Sequence, residues 1–180
     1  MRCFLGITLP PDCRELLKNS WRAPEAERAH LRLSDPGQWH ITLNFFGEIN
    51  QTRLMDLRNL IAGALETPPD GSFHISRIET FPAKRPVYYI ARCIPEQEAA
   101  WQRCVQQITE ISSIIAPNID RKPWTPHITL ARSKHGKLLE PFEMSLNPIG
   151  WVPEYATLFL SELTPTGPKY TPLHEYRLNA

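Results

Sequence analysis

A histidine and a threonine two residues apart occur twice in this chain, in identical tetrapeptides: His40-Ile41-Thr42-Leu43 and His127-Ile128-Thr129-Leu130. Each copy lies in a run that reads as a β-strand. Side chains alternate faces along a strand, so His and Thr point one way while Ile and Leu point the other. Each copy therefore presents an imidazole and a hydroxyl on one face and buries two aliphatic groups on the opposite one. Imidazole titrates near neutrality and serves as either proton donor or acceptor. Two such strands side by side would gather two acid–base groups and two hydroxyl donors around one small anion. That is the equipment for hydrolysing a phosphodiester without a metal.

For a 2',3'-cyclic phosphate the division of labour is simple. One neutral histidine takes a proton from water. One protonated histidine gives a proton to the leaving ribose oxygen. Each role is worth about 10²–10⁴ in rate. The hydroxyls of Thr42 and Thr129 would bond the non-bridging oxygens as charge develops there. β-Branching suits Thr to a strand and restricts χ1, which holds the hydroxyl in place. From the residues alone the two histidines cannot be ordered as acid and base. A metal reading has little behind it: neither motif carries a third ligand at suitable spacing, and there is no HExxH and no cysteine cluster. No GxxxxGK[ST] or GxGxxG is present, so nucleotide-cofactor chemistry has no support either. No cofactor is expected. His30, His74, His135 and His174 have no repeated context and enter no site.

The elements that must position these residues follow from periodicity. Residues 2–9 read as a strand. Pro10-Pro11-Asp12 opens a helix through about Trp21, with a proline and an acid where a first turn favours them. A polar stretch runs from Ala23 to about Gln38, and Trp39 to Phe46 is the first motif strand, stopped by Gly47. Apolar residues at helical spacing make 52–66 an amphipathic helix. Ser72–Phe81 and Val87–Cys93 are strands joined across Pro82–Pro86. Glu96–Ile115 is a second long helix with Trp101, Val105, Ile108, Ile111 and Ile115 on one stripe. Thr125–Arg132 is the second motif strand, and further strands are expected at about 141–147, 153–163 and 170–178. This mixture, with few regular βαβ crossovers, predicts an α+β fold of mostly antiparallel sheet with flanking helices. The motifs stand 87 residues apart, close to half the chain. That predicts two similar lobes in one compact body spanning residues 1–180, each giving one motif strand to a shared cleft.

Composition bounds the partners. The chain has 180 residues, 42% hydrophobic and 22% charged, with a formal charge of +1 from 20 basic and 19 acidic residues. That balance argues against coating long nucleic acid, which needs many phosphate contacts, but leaves room for a nucleotide or an RNA end in a local pocket. Cys3, Cys13, Cys93 and Cys104 show no CxxC spacing and read as buried thiols. The opening segment is too short for a signal h-region and runs into Pro10-Pro11. No apolar run approaches the roughly 20 residues that span a bilayer. A cytoplasmic monomer, with no membrane contact, is the default expectation.

With these residues on the page, the chain resembles the two-histidine (2H) phosphoesterase superfamily, which is named for paired HxTx motifs. It is most similar to the branch of RNA 2',3'-cyclic phosphodiesterases, also called 2'-5' RNA ligases. The resemblance spans nearly the whole chain. It includes Arg2–Pro10, the first motif leading into Phe45-Phe46-Gly47-Glu48, Lys122-Pro123-Trp124-Thr125-Pro126 ahead of the second, and a closing Tyr170-Thr171-Pro172-Leu173. For the fold, it implies that the two lobes are pseudo-symmetric about a central groove. For activity, it implies hydrolysis of RNA 2',3'-cyclic phosphate ends to 2'-phosphates without metal, and a weak, reversible, ATP-independent 2'-5' joining of RNA ends. It also implies that His40 is the proton donor and His127 the acceptor. RNA 3' ends or nucleoside 2',3'-cyclic phosphates would be the partners. Further substrate contacts are expected from Trp124 as a base platform, from Arg132 as a phosphate partner, from Phe46, which with Asn44 shares the His40 face in regular alternation, and from Tyr170. Regular alternation places Arg132 opposite His127, so it reaches the site only if the strand ends or bulges. Two other readings stand beside this one: a non-catalytic nucleotide-binding module, and a phosphodiesterase acting on another bond such as 2'-5' oligoadenylate.

Overall fold

The computed structural model describes residues 1–165 and 167–178. One nine-stranded antiparallel sheet forms its centre. The strands are β1 (Arg2–Thr8), β2 (Leu31–Leu33), β3 (His40–Glu48), β4 (Phe73–Phe81), β5 (Tyr88–Pro95), β6 (His127–Ser133), β7 (Glu143–Trp151), β8 (Tyr155–Thr164) and β9 (Gly167–Arg177). The spatial order is β7-β4-β5-β6-β3-β1-β8-β9, with β2 added to β6 off this path. The sheet is open, ending at β7 on one side and β9 on the other. Four α-helices accompany it: α1 (Pro11–Ser20), α2 (Glu25–Arg28), α3 (Leu54–Ala64) and α4 (Glu98–Ser112). The α+β, largely antiparallel fold is the one the periodicity predicts.

Along this path four strands lie on each side of the β6–β3 junction. There, β3 and β6 meet at a single residue pair, Ile41 with Ile128, the equivalent positions of the two motifs. Both isoleucines are fully buried. The halves do not follow the chain's midpoint. One half, β3-β1-β8-β9, is assembled from both chain ends; the other, β7-β4-β5-β6, comes from the middle.

The three longer helices, α1, α3 and α4, are each held by buried apolar residues. α4 buries Trp101, Cys104, Val105 and Ile108, and α3 buries Leu57 and Ile61 at i, i+4 spacing. α1 has proline in its first turn and a buried Cys13 and Leu17. It leaves β1 in one half yet packs on β7 of the other, where the Cys13 thiol lies 3.6 Å from the Gly150 carbonyl. α4 leaves β5 and packs on β3 and α3. Each half thus lends a helix to the other. All four cysteines are free and buried, and burial pushes the Cys3 and Cys104 thiols up to about 11.

The stretch 23–38, expected to be polar loop, holds α2, β2 and a 3₁₀ turn at Pro36–Gln38. β3 also runs past its predicted stop, because Gly47 adopts φ +70° and lets the strand continue to Glu48.

Candidate active site

Between the two motif strands lies a cavity of about 420 Å³. β3 and β6 touch only at Ile41–Ile128 and part on either side. Continuing that antiparallel register by one residue sets His40 across from Thr129 and Thr42 across from His127. All four side chains line the cavity. The parting of the strands leaves the Thr42 carbonyl without a ladder partner, and the Trp124 indole Nε1–H donates to it at 2.8 Å. The Asp120 amide donates to the Phe45 carbonyl at 3.0 Å. The segment ahead of β6 therefore props the two strands apart.

The two imidazoles are oriented in the same way. His40 Nδ1 lies 2.8 Å from the Gln38 carbonyl, and His127 Nδ1 lies 2.6 Å from the Thr125 carbonyl, each two residues upstream. A carbonyl only accepts, so Nδ1 carries a proton in both rings. Nε2 is then the atom that gains or loses one. The surroundings differ. His40 stacks on Phe4 at 4.7 Å and meets the Tyr170 edge at 5.2 Å. His127 lies 5.6 Å from Phe81. Arg92, its cross-strand neighbour, is ion-paired with Glu79, which also holds Arg77 at 2.7 Å.

Both imidazoles are held below the ordinary histidine value. For His40 burial dominates; the Gln38 carbonyl opposes it and His127 adds to it. For His127 burial again dominates, opposed by the Thr125 carbonyl, with Arg92 lowering and Glu79 raising. Near neutral pH the free site therefore holds two neutral imidazoles. A reaction that needs one protonated and one neutral ring has its competent form at lower pH. The expected kcat/KM profile is a bell whose basic limb falls below the unperturbed value of about 6.5, because the donor is lost as pH rises through a lowered pKa. The two apparent values belong to the coupled pair. The kcat profile should lie at higher pH, since a bound phosphate anion favours imidazolium. Stopped-time assays over about pH 5–8 check this; a flat kcat/KM across that range would remove the acid–base pair.

A β-bulge sits at the same place in both motifs. On β3, Gly6 pairs with Thr42 but Leu5 with Asn44, leaving Leu43 as the extra residue. On β6, Ile90 pairs with Thr129 but Tyr89 with Ala131, leaving Leu130 as the extra residue. A bulge shifts alternation by one, so later side chains change face. The fifth residue after each histidine, Phe45 or Arg132, is thereby turned into the cavity. This corrects the expectation for Phe46, which is fully buried in the core. Asn44 is buried too, donating to the Val105 carbonyl and to Thr109 Oγ1. Arg132 reaches the cavity through the bulge, its guanidinium 5.4 Å from the Tyr88 ring. Tyr170 also lines the cavity, and burial raises its phenol pKa, so it stays neutral. Trp124 does not line it. Trp124 packs near Trp101, its carbonyl accepts from Gln102, and its indole braces Thr42, so its place in the fold is that of a prop. Sequence reasoning missed Arg2, Phe4, Arg32, Phe45 and Tyr88, all on the cavity wall. Nothing in their local sequence marks them.

Gly6 holds β1 close behind His40. A Cβ there would lie 3.0 Å from the Ile41 carbonyl oxygen and 3.2 Å from His40 Cδ2. Gly6→Ala should displace the imidazole and lower kcat by roughly tenfold to hundredfold, with overpacking costing about 1–3 kcal/mol of stability. Paired kcat and Tm measurements check this; full activity in a folded variant would show that the ring has slack.

The fold and the paired motifs define a two-histidine phosphoesterase. A family model described as LigT-like phosphoesterase matches residues 7–88. An RNA 2',3'-cyclic phosphodiesterase of Thermus thermophilus is 30% identical over 183 residues, covering 99% of this chain and 90% of its own. One of Methanothermobacter thermautotrophicus is 24% identical, covering 99% of both. Among solved structures, the Thermus thermophilus protein TT0787 superposes with a TM-score of 0.81 at 27% identity, over 99% of this chain and 98% of that one. Apo E. coli LigT gives 0.74 at 21% identity over 98% and 96%. The chain belongs to the LigT-like phosphoesterase family of the 2H superfamily.

Proposed function

We propose that this chain hydrolyses RNA 2',3'-cyclic phosphate ends to 2'-phosphates. The observation that carries the reading is the convergence of His40, Thr42, His127 and Thr129 on one cavity, each histidine with Nδ1 anchored on a carbonyl and Nε2 left for proton transfer. The relatives named RNA 2',3'-cyclic phosphodiesterase support the substrate class. His127 Nε2 takes a proton from the attacking water, and His40 Nε2 protonates the leaving 3' oxygen; this order follows the family pattern. Thr42 and Thr129 hydroxyls donate to the non-bridging oxygens. Cleavage of the P–O3' bond leaves the phosphate on the 2' oxygen. If the 5'-hydroxyl of a second RNA end replaces water, the same proton transfers give a 2'-5' linkage, a weak ligation run through one site.

Proton transfer does the work here. Among the described residues no group of three or more His, Cys, Asp or Glu is placed to hold a metal ion, and no helix is long and apolar enough to cross a membrane. The test is product analysis on an oligoribonucleotide ending in a 2',3'-cyclic phosphate, with and without EDTA. A 2'-phosphate formed at the same rate in both supports the reading. A 3'-phosphate, or a rate abolished by chelation and restored by zinc or magnesium, overturns it.

A further inference from the structure

Positive charge in this chain is concentrated. The whole carries +1, yet the cavity wall takes three arginines, Arg2, Arg32 and Arg132, against one carboxylate, Asp35. No ion pair holds any of the three among the described residues. The Asp35 carboxylate accepts from the Gly37 amide at 2.9 Å and forms no ion pair with any of the three among the described residues.

Arg32 and Arg132 are direct cross-strand partners on β2 and β6. Direct partners point to the same face with their Cα atoms about 5 Å apart. Like charges so placed destabilise a strand pair, and among the described residues no carboxylate is ion-paired with either. β2 has only three residues and pairs with β6 alone, so its charged residue adds to this repulsion without a larger ladder to offset it. An anion between the two guanidinium groups would turn that repulsion into attraction, through charge-assisted bonds from each. The cavity is also polarised. The position five residues after the motif histidine is Phe45 in one half, paired across strands with Phe4, which in turn meets Tyr170, and Arg132 in the other. Rings predominate at the first end, with Phe4, Phe45 and Tyr170 beside the single Arg2, and cations at the second, with Arg32 and Arg132 beside the single Tyr88.

We propose that Arg32 and Arg132 form a subsite for a second phosphate: the phosphodiester on the 5' side of the terminal nucleotide. This rests on the proposed function and names its substrate class more closely. The base of the terminal nucleotide lies toward the aromatic end, the cyclic phosphate lies between the histidines, and the 5' phosphate lies against the arginine pair. The site then reads the polarity of an RNA end and favours a chain of two or more nucleotides over a mononucleoside.

Two commercial-type probes separate the contributions: adenosine 2'-monophosphate, and adenosine 2',5'-bisphosphate, which adds only the 5' phosphate. Calorimetric titration of the wild-type chain should show the bisphosphate binding about tenfold more tightly, with the slope of log Kd against log salt steeper by about 0.7. Arg32 is exposed and its side chain makes no hydrogen bond among the described residues, so Arg32→Gln should fold; there the gain should fall below about threefold, and Arg32→Glu should abolish it. Equal wild-type affinity for the two probes, or a gain that survives in Arg32→Glu, overturns the subsite. Turnover of a mononucleoside 2',3'-cyclic phosphate by the wild-type chain is scored separately. Absent turnover with an intact, Arg32-dependent bisphosphate gain supports the subsite while defeating the catalytic reading.

Discussion

His40→Ala and His127→Ala should each lower kcat by roughly 10²–10⁴ while leaving the fold intact. Neither ring carries packing that the core needs: both side chains are only partly buried and line the cavity. Each ring's Nδ1 is committed to a carbonyl, so the loss falls on the proton transfer made by Nε2. The double variant separates a catalytic pair from two independent residues. If the acid and the base serve one reaction path, removing the second after the first costs little more, and the combined loss is far smaller than the product of the single losses. Steady-state kinetics on a nucleoside 2',3'-cyclic phosphate, with circular dichroism as the fold control, provide the measurement. Near-full activity in either folded single variant would end the two-histidine mechanism.

Much of the architecture was legible because it rests on periodicity. The strand alternation of His40–Leu43 and His127–Leu130 placed His and Thr on one face, and that is where they stand. The stripe through Trp101, Val105 and Ile108 marked α4 correctly because a long amphipathic helix declares itself in any context. β2 could not be read. Three residues, Leu31–Leu33, become a strand only because β6 offers them a ladder, and that partner lies about a hundred residues away. The bulges at Leu43 and Leu130 were equally hidden, since both sit in apolar runs where alternation carries no marker. Their effect is large: one inserted residue exchanges Phe46 for Phe45 at the cavity and brings in Arg132. Trp124 shows a third limit. Its position beside the motif predicted a base platform, but the parting of β3 and β6 exposes the Thr42 carbonyl, and the indole is drawn to that carbonyl instead. The shape of the halves escaped for a related reason. Motif spacing predicted two lobes with one motif strand each but not how the chain divides between them: β8 and β9 return to complete the sheet begun by β1 and β3.

Thr42→Val and Thr129→Val should each cost roughly 2–4 kcal/mol in kcat/KM, by analogy with removal of one oxyanion donor. Valine keeps the volume, the β-branching and the strand preference of threonine, so the change is close to the loss of a hydroxyl alone. Backbone placement should survive as well. Thr42 is held by its carbonyl through the Trp124 indole and by its pairing with Gly6, and Thr129 by its pairing with Ile90; none of these uses the hydroxyl. A hydroxyl that merely satisfied the strand would leave catalysis untouched when removed. One aimed at a non-bridging oxygen is worth most when charge is greatest, so the loss should appear in kcat more than in KM. Serine supplies the control. It restores the hydroxyl but frees χ1, so Thr42→Ser and Thr129→Ser should recover part of the lost rate and not all of it. The register, with His40 across from Thr129 and Thr42 across from His127, adds a further expectation: the two valine variants should be impaired to a similar degree, because each hydroxyl grips the same phosphate from opposite strands. Unchanged kcat/KM in both valine variants would reduce the threonines to strand formers and leave the two imidazoles to stabilise the developing charge alone.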